Sequence, residues 1–183
     1  MIGTSVSHDR DFIWGPRGFK SVEEMNAALI ERWNSVVSDD DIVYVLGDFF
    51  LGRDYDFIDK TLNRLNGNIY VILGNHDTPA KVEFYSRHSK ILSVAYADMI
   101  VWKKRVFYLS HYPTFTSDLN CNPKHAIFNL FGHTHSTKKF YEDRPYMYNV
   151  AVDAHNCTPV SIEQIYTDID NEIDKCISFL DEI

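Results

Sequence analysis

Cysteine is scarce in this sequence, and the three cysteines that it has lie far apart. Cys121, Cys157 and Cys176 form no C-x-x-C pair. An odd number of widely spaced cysteines excludes both a disulfide framework and a cysteine-rich zinc site, and it is typical of proteins in a reducing cytosol. We therefore expect a cytoplasmic protein.

Long apolar runs are also lacking. No stretch comes near the roughly 20 apolar residues that a membrane-spanning helix needs. The N-terminus has no apolar segment of the kind found in signal peptides. These two absences argue against a membrane protein and against an exported one. We expect a soluble protein that has no membrane partner.

Positive charge is in the minority. The sequence has 18 Lys and Arg residues against 26 Asp and Glu, which gives a formal net charge of −8, and no segment of it is rich in Lys and Arg. A negative surface repels a polyanion, which argues against non-specific binding to nucleic acid. Bound divalent cations could reverse this effect locally.

What the sequence does contain is typical of one globular domain. Its 183 residues are 45% hydrophobic and 24% charged, which is enough for a sizeable core and tight for two domains. The sequence shows no repeat, low-complexity tract or linker. We expect a single domain over residues 1–183.

Four segments predict helices, and three of them open with a signal for a helix start. A capping box, which is a serine followed three residues later by Glu or Gln, opens two of them, and a proline at the first helical position opens another. The predicted helices are Ser21 to about Val37, Asp54 to a stop at Gly67, Pro79 to Arg87, and Ser161 through Leu180.

Eight short apolar runs predict strands. They alternate with helices in the first half of the chain and follow one another in the second half. Runs that are apolar at nearly every position are typical of strands buried on both faces, and the whole arrangement indicates a sheet-based α/β core. The runs are residues 2–6, 42–46, 69–73, 91–94, 98–102, 105–109, 126–131 and 146–152.

Polar side chains that can bind metals come just after five of these runs. In open α/β sheets, ligands bind in the crevice beyond the carboxyl ends of the strands, so we expect these side chains to meet there. Imidazole and oxygen ligands suit Mn, Fe, Zn and similar divalent ions. The alternative is that the same residues are ordinary caps of turns and loops. The residues are His8, Asp48, Asn75-His76-Asp77, His111 and the His133/His135 pair.

Four short motifs in order carry a family resemblance. They are Gly47-Asp48, Gly74-Asn75-His76-Asp77, Ser110-His111-Tyr112-Pro113 and Gly132-His133-Thr134-His135. Each motif alone is weak evidence, but four in order are strong. With them the chain resembles the calcineurin-like metallophosphoesterases over most of its length. The stretches SVEEMNAALIERWNSVVSDDDIVYVLGDF and NVAVDAHNCTPVSIEQI resemble a small bacterial and phage subgroup of that family.

The resemblance implies a four-layer α/β/β/α sandwich, with two sheets inside and helices outside, and a centre of two divalent metal ions. Asp48 would bridge the two ions, His8 and His135 would belong to the first ion, and the remaining ligands to the second. Manganese is the expected metal, with Fe, Zn, Ni or Mg as alternatives. The implied ligands are His8, Asp48, Asn75, His111, His133 and His135.

The reaction that the resemblance implies is the hydrolysis of a phosphoester. A water activated by the metals would attack phosphorus in line, and the two cations would stabilise the entering and the departing oxygens. His76 would protonate the leaving oxygen as the general acid, and Asp77 would orient or tune His76. Asn75 completes the predicted catalytic set.

One position departs from the family's pattern. The first motif of the family is Asp, any residue, then His, and here Val6 stands at the position of the metal-binding Asp while His8 is present. A valine cannot coordinate, so affinity for the first ion should fall. The favoured interpretation is a weakened site that still holds the ion, and the next is an empty site that leaves one ion. In a third, Asp9 or more readily Asp11 replaces the missing carboxylate.

We therefore expect a metal-dependent phosphoesterase, and most readily one that hydrolyses phosphodiesters. No large insertion interrupts the motifs to form a cap, and the negative charge favours a small phosphorylated substrate or a short phosphodiester. Two alternatives stay open. One is a metal-binding or protein-binding module with impaired or no catalysis, which Val6 favours and the retained His76-Asp77 pair opposes. The other is a phosphomonoesterase. No role is assigned to three arginines near the motif loops, Arg10, Arg17 and Arg53.

Overall fold

The structure is a computed structural model that describes residues 2–3, 11–116, 126–142 and 144–181, with the backbone alone for 2–3, 11–12 and 177–181. No helix in this part of the chain is long and apolar enough to cross a bilayer. In chain order its elements are β1 (Ile2–Gly3), α1 (Asp11–Trp14), α2 (Val22–Val36), β2 (Ile42–Leu46), α3 (Tyr55–Leu62), β3 (Asn68–Ile72), α4 (Pro79–Arg87), β4 (Ile91–Ala95), β5 (Ala97–Trp102), β6 (Arg105–Ser110), β7 (Ile127–Phe131), β8 (Phe140–Tyr141), β9 (Arg144–Asn149), a 3₁₀ helix (Val152–His155) and α5 (Ile162–Asp181).

The first sheet is parallel and has the strand order β1-β2-β3-β4. Alternate residues of each strand point to opposite faces of the sheet. On β2, Val43 and Val45 pack with α2, α3 and α4, whereas Leu46 belongs to a second core cluster that also contains residues of the other sheet and of α5. Burial on both faces, which the apolar runs predict, is therefore confirmed for this strand.

Two helices of the first half begin where the sequence predicts. The Ser21 Oγ accepts a hydrogen bond from the Glu24 N–H (3.2 Å), and the Glu24 carboxylate accepts one from the Lys20 N–H (2.7 Å). These reciprocal bonds are a capping arrangement at the start of α2. The Asp54 carboxylate caps α3 by accepting a hydrogen bond from the Phe57 N–H (3.0 Å).

The end of α3 differs from the prediction. The helix stops at Leu62 rather than at Gly67, because tight turns follow its last residue. The Arg64 N–H donates to the Thr61 carbonyl (3.0 Å), and the Leu65 N–H donates to the Leu62 carbonyl (3.1 Å). Gly67 lies instead in the turn that leads into β3.

The second sheet is mixed and has the strand order β5-β6-β7-β9-β8. β5 and β6 form a hairpin through Lys103-Lys104, whose φ angles of 47° and 68° are typical of a type I′ turn. β6, β7 and β9 run parallel to one another, and β8 runs antiparallel to β9. Phe107, Phe128 and Tyr148 share one core cluster with Leu46 of the first sheet and with α5. The two sheets and the C-terminal helix thus share a core.

β9 ends earlier than the predicted strand over residues 146–152. Asn149 ends it because its Oδ1 accepts a hydrogen bond from the Ala151 N–H (3.0 Å) while its Nδ2 donates to the Ser136 carbonyl (2.9 Å). These side-chain bonds turn the chain toward the 3₁₀ helix. That helix, α1 and β8 have no counterpart among the predicted elements, but the predicted α/β class is confirmed.

Candidate metal centre

Loops that follow β2, β3, β6 and β7 bring four predicted ligands together. His111 Nε2 lies 2.9 Å from Asn75 Oδ1, 3.0 Å from His133 Nδ1 and 3.4 Å from Asp48 Oδ2. Ligand atoms of Asp48, His111 and His133 all lie within 4.8 Å of one another. Asp48 and His111 are buried, whereas Asn75 and His133 are exposed, so the cluster is open to solvent on one side.

The imidazole of His111 is oriented by a backbone group. Its Nδ1 lies 2.9 Å from the Leu46 carbonyl oxygen. Because a carbonyl can only accept, Nδ1 carries the proton, and in the neutral ring Nε2 presents a lone pair. That lone pair faces the oxygens of Asp48 and Asn75. A cation among these atoms would turn repulsion between electron-rich donors into attraction, so the donor set fits a divalent metal ion.

Two glycines permit the close approach of these loops. Gly47 has a φ of 88°, and a Cβ at this position would lie 2.7 Å from His111 Cγ and 2.9 Å from Gly74 Cα. A Cβ on Gly74 would lie 2.7 Å from the backbone nitrogen of Asp48 and 2.8 Å from its Cγ. Any larger residue would therefore push the ligands apart, which explains why both motifs begin with glycine.

Three of the predicted ligands have a left-handed backbone conformation. The φ angles of Asp48, His133 and His135 are 52°, 59° and 48°. A residue other than glycine pays about 1–3 kcal/mol for an uncommon backbone conformation, and such residues persist where the surrounding structure holds them. Their concentration among the candidate ligands is typical of a functional site.

The electrostatics of the cluster favour opposite charges on neighbouring groups. Burial alone would raise the pKa of Asp48, but the neighbouring imidazole of His111 and the hydrogen bond from the His76 N–H outweigh it and lower that pKa. Burial would lower the pKa of His111, but Asp48 and the Leu46 carbonyl outweigh it and raise that pKa. Burial and the charge on His111 lower the pKa of His133. The carboxylate thus draws positive charge into the cluster.

The His76-Asp77 segment is tied to the Asp48 loop through its backbone. The His76 N–H donates to Asp48 Oδ1 (2.8 Å). Asp77 Oδ2 accepts hydrogen bonds from the backbone N–H groups of Asp48 (2.9 Å) and Gly74 (2.8 Å). The His76 side chain is exposed. Asp77 therefore joins the two loops, and its effect on the His76 imidazole stays a prediction.

A buried lysine lies behind these loops, and no motif in the sequence singles it out. The Lys81 Nζ donates to the Phe50 carbonyl and, at 2.9 Å, to the His76 carbonyl. Burial lowers the pKa of Lys81 more than the neighbouring Asp77 raises it. The Tyr85 hydroxyl donates to Asp77 Oδ1 at 3.4 Å. One side chain from α4 thus holds the backbones of both loops.

His135 has a different set of neighbours. Its Nδ1 lies 3.3 Å from Asp153 Oδ2, and the Arg17 guanidinium donates to both Asp153 oxygens at 2.8 Å. Burial would raise the pKa of Asp153, but the hydrogen bonds from His135 and Arg17 outweigh it and hold that pKa well below its ordinary value. In the sequence, Asp153 follows an apolar run and Arg17 lies near the first motif, but nothing there pairs two residues 136 positions apart.

Part of the predicted first metal site lies outside the described residues. Val6, His8 and Asp9 belong to the stretch 4–10, and for Asp11 the structure gives the backbone alone, at the start of α1. The role of His8 as a ligand and the replacement of the missing carboxylate by Asp9 or Asp11 therefore stay predictions.

Comparisons with known proteins identify the family of the chain. A model of the calcineurin-like phosphoesterase family matches residues 8–176. An uncharacterised protein of Methanocaldococcus jannaschii is 32% identical in an alignment of 167 positions that covers 88% of this chain and 85% of the relative. The gene 66 protein of Mycobacterium phage L5 is 30% identical in an alignment of 140 positions that covers 63% of this chain and 66% of the phage protein. The chain therefore belongs to the calcineurin-like phosphoesterase family, and in general terms it is a metal-dependent phosphoesterase.

The fold has a counterpart among crystal structures. A protein of unknown function from Aquifex aeolicus matches with a TM-score of 0.70 and 17% identity, over 91% of this chain and 96% of that one. At this level of identity the likeness concerns the fold alone. Together with the family match, it confirms the predicted sandwich of the metallophosphoesterase type.

Proposed function

We propose that the protein hydrolyses phosphodiester bonds in small or short substrates, with divalent cations bound between its motif loops. One observation carries the proposal. Asn75, His133 and Asp48 place donor atoms 2.9 Å, 3.0 Å and 3.4 Å from His111 Nε2, although each residue comes from a different loop. Caps of turns bond to the backbone of their own loop, whereas these side chains meet across loops.

The chemistry of the donors indicates the kind of cation. The four residues offer oxygen and imidazole nitrogen atoms, a combination suited to Mn²⁺, Fe²⁺ or Zn²⁺. We propose that these four residues would hold one Mn²⁺, and that His8, Asp48 and His135 would hold a second ion. When bound, such ions polarise the phosphoryl group and lower the pKa of a water.

His76 is the general acid in this proposal. Its side chain is exposed, and its backbone N–H is bonded to the Asp48 carboxylate, so the residue lies beside the cluster and remains accessible to a substrate. Histidine is the side chain that most often serves as a general acid in enzymes. The proton passes to the leaving oxygen as the P–O bond breaks, and the ring is left neutral. Asp77 holds the segment that carries this ring against the Asp48 loop.

The exposure of the site supports phosphodiesters as the substrate class. Asn75, His76, His133 and His135 are exposed, and no large insertion separates the motifs to form a cap over them. An open site has room for the two ester groups that flank the phosphorus of a phosphodiester. The net charge of −8 disfavours long polyanions, so the substrates are small or short. The cytoplasm is the proposed location.

The test uses the full chain with Mn²⁺ and a chromogenic bis-aryl phosphate. His76→Ala should lower turnover by about 10²–10⁴-fold, which is the usual contribution of a general acid. It should leave Mn²⁺ binding unchanged, because its imidazole is not among the proposed ligands. Val6→Asp should raise turnover, because it restores a carboxylate to the first site. A monoaryl phosphate, assayed in parallel, measures monoesterase activity.

Three outcomes would contradict parts of this proposal. If no metal-loaded form turns over the substrate, Val6→Asp included, the proposed enzymatic activity is overturned and a binding module is favoured. If the monoaryl phosphate is turned over faster than the bis-aryl phosphate, the proposed substrate class changes from phosphodiesters to phosphomonoesters. Full turnover by His76→Ala would remove the general acid from the proposed mechanism.

A further inference from the structure

A buried ion pair lies beside one of the candidate ligands. Arg17 and Asp153 form a two-pronged contact at 2.8 Å, and their side chains are 3% and 11% exposed. The same carboxylate lies 3.3 Å from Nδ1 of His135, whose side chain is 38% exposed. The pair joins the segment after α1 to the 3₁₀ helix, two parts of the chain that are 136 residues apart.

Stability alone does not account for this pair. Taking a guanidinium and a carboxylate out of water costs as much free energy as their attraction returns, so apolar residues of similar volume would often stabilise a protein equally well. Arg17 already lies in an apolar setting, where its Nη1 is 3.5 Å from the Met25 Sδ. Its burial also keeps it from reaching a substrate phosphate. What the pair does provide is a carboxylate in a fixed position.

A fixed carboxylate at this distance favours one of the two tautomers of His135. Because a carboxylate accepts and does not donate, it favours the tautomer of His135 in which Nδ1 carries the proton and Nε2 has the lone pair. In metal sites, carboxylates behind histidines orient the ring and raise its basicity, and their loss typically weakens metal binding about 10–100-fold.

We propose that Asp153, held by Arg17, is a positioning residue that presents Nε2 of His135 to the first cation. This inference rests on the proposed function, because His135 is a ligand only there. In this proposal one ligand of the first site, His135, is oriented by a contact that does not involve position 6. Because Val6 supplies no carboxylate, the remaining ligands of that site carry more of the binding, and the orientation of His135 matters more.

The first measurement is the affinity of the full chain for Mn²⁺, determined by titration calorimetry. Asp153→Asn should weaken the lower-affinity Mn²⁺ about 10–100-fold and leave the higher-affinity Mn²⁺ unchanged. Arg17→Met should weaken the same ion, because the carboxylate is no longer held, and Arg17→Lys should restore part of the affinity. Asp168→Asn is the matched control, because Asp168 is also paired with a cation and has a side chain that is 12% exposed.

The second measurement is the tautomer of His135 in the metal-free chain, read from two-bond ¹H–¹⁵N couplings in NMR spectra and assigned with His135→Gln. We expect the Nδ1–H form in the wild type and in Asp168→Asn, and a shift toward the Nε2–H form in Asp153→Asn. The measurement does not depend on catalysis or on bound metal.

The two measurements separate failure of this inference from failure of the proposed function. If Asp153→Asn binds both Mn²⁺ ions as the wild type does, or weakens both equally, the inference is overturned and the metal site stands. If the wild type binds no Mn²⁺, the proposed function is overturned. If it binds one ion or none, the NMR result decides, and an unchanged Nδ1–H form in Asp153→Asn overturns the inference.

Discussion

Replacing Gly74 by alanine would test whether the first two motif loops pack as closely as the structure shows. The change adds one methyl group. In the structure, that methyl would lie 2.7 Å from the Asp48 nitrogen and 2.8 Å from the Asp48 Cγ. Ordinary contacts of a Cβ begin at 3.4 Å, so the Asp48 loop would have to move by about 0.7 Å.

A movement of this size is large for a metal ligand. Ligand distances in metal sites are held to within about 0.2 Å, so a shift of Asp48 removes its bond or strains the site. The backbone N–H groups of Gly74 and Asp48 also share Asp77 Oδ2 as acceptor, and the shift would lengthen at least one of these bonds. We expect Mn²⁺ affinity to fall about 100-fold or more and stability to fall by about 1–3 kcal/mol, as in overpacked cores.

The assay combines Mn²⁺ calorimetry with urea unfolding, and Gly52→Ala is the control. Gly52 belongs to the same loop as Asp48, and a Cβ there would meet no atom within 4 Å. The control should bind Mn²⁺ as the wild type does and keep its stability within about 0.5 kcal/mol. Wild-type Mn²⁺ affinity in Gly74→Ala, with the protein folded, would refute the close packing of Asp48 against Gly74.

Two further predictions concern stability. Asp168→Asn loses the charge that accepts a 2.5 Å hydrogen bond from Tyr148, so urea unfolding at pH 7 should show a loss of about 1–3 kcal/mol. Because the pKa of Asp168 is lowered in the fold, the difference from wild type should begin to shrink as the pH falls below the ordinary aspartate pKa and should vanish only below the lowered pKa of the folded state. A difference that stays constant over this range would contradict the prediction. Lys81→Met removes the hydrogen bonds to the Phe50 and His76 carbonyls. The free energy of unfolding should therefore fall by about 1–3 kcal/mol, and turnover should fall as well. Unchanged stability together with unchanged turnover would contradict this prediction.

The parts of the site that follow strand ends could be predicted from the sequence. An apolar run followed by Gly47-Asp48 marks a strand and the residue just beyond its carboxyl end, and parallel strands deliver such residues to one edge. The order of the motifs, through the family resemblance, then predicts that Asp48, His111 and His133 share a metal site. The structure brings these three side chains together. Local signals sufficed because each ligand lies next to the strand that positions it.

Contacts between distant segments could not be predicted in the same way. Lys81 lies on a short helix whose pattern does not distinguish a buried ammonium from an exposed one, and its partners are backbone carbonyls that leave no trace in the sequence. Arg17 and Asp153 are each unremarkable in their local segments. The early end of β9 depends on the side chain of Asn149, which bonds to the backbone of another loop as well as its own.

We infer above all that Asp48, Asn75, His111 and His133 together hold a divalent cation. The most direct test is a crystal of the full chain soaked in Mn²⁺, with diffraction measured on both sides of the manganese absorption edge. We expect an anomalous peak between these four side chains, within about 2.0–2.4 Å of their donor atoms. A map with no anomalous peak at that position, from a crystal in which the four loops are ordered, would contradict it.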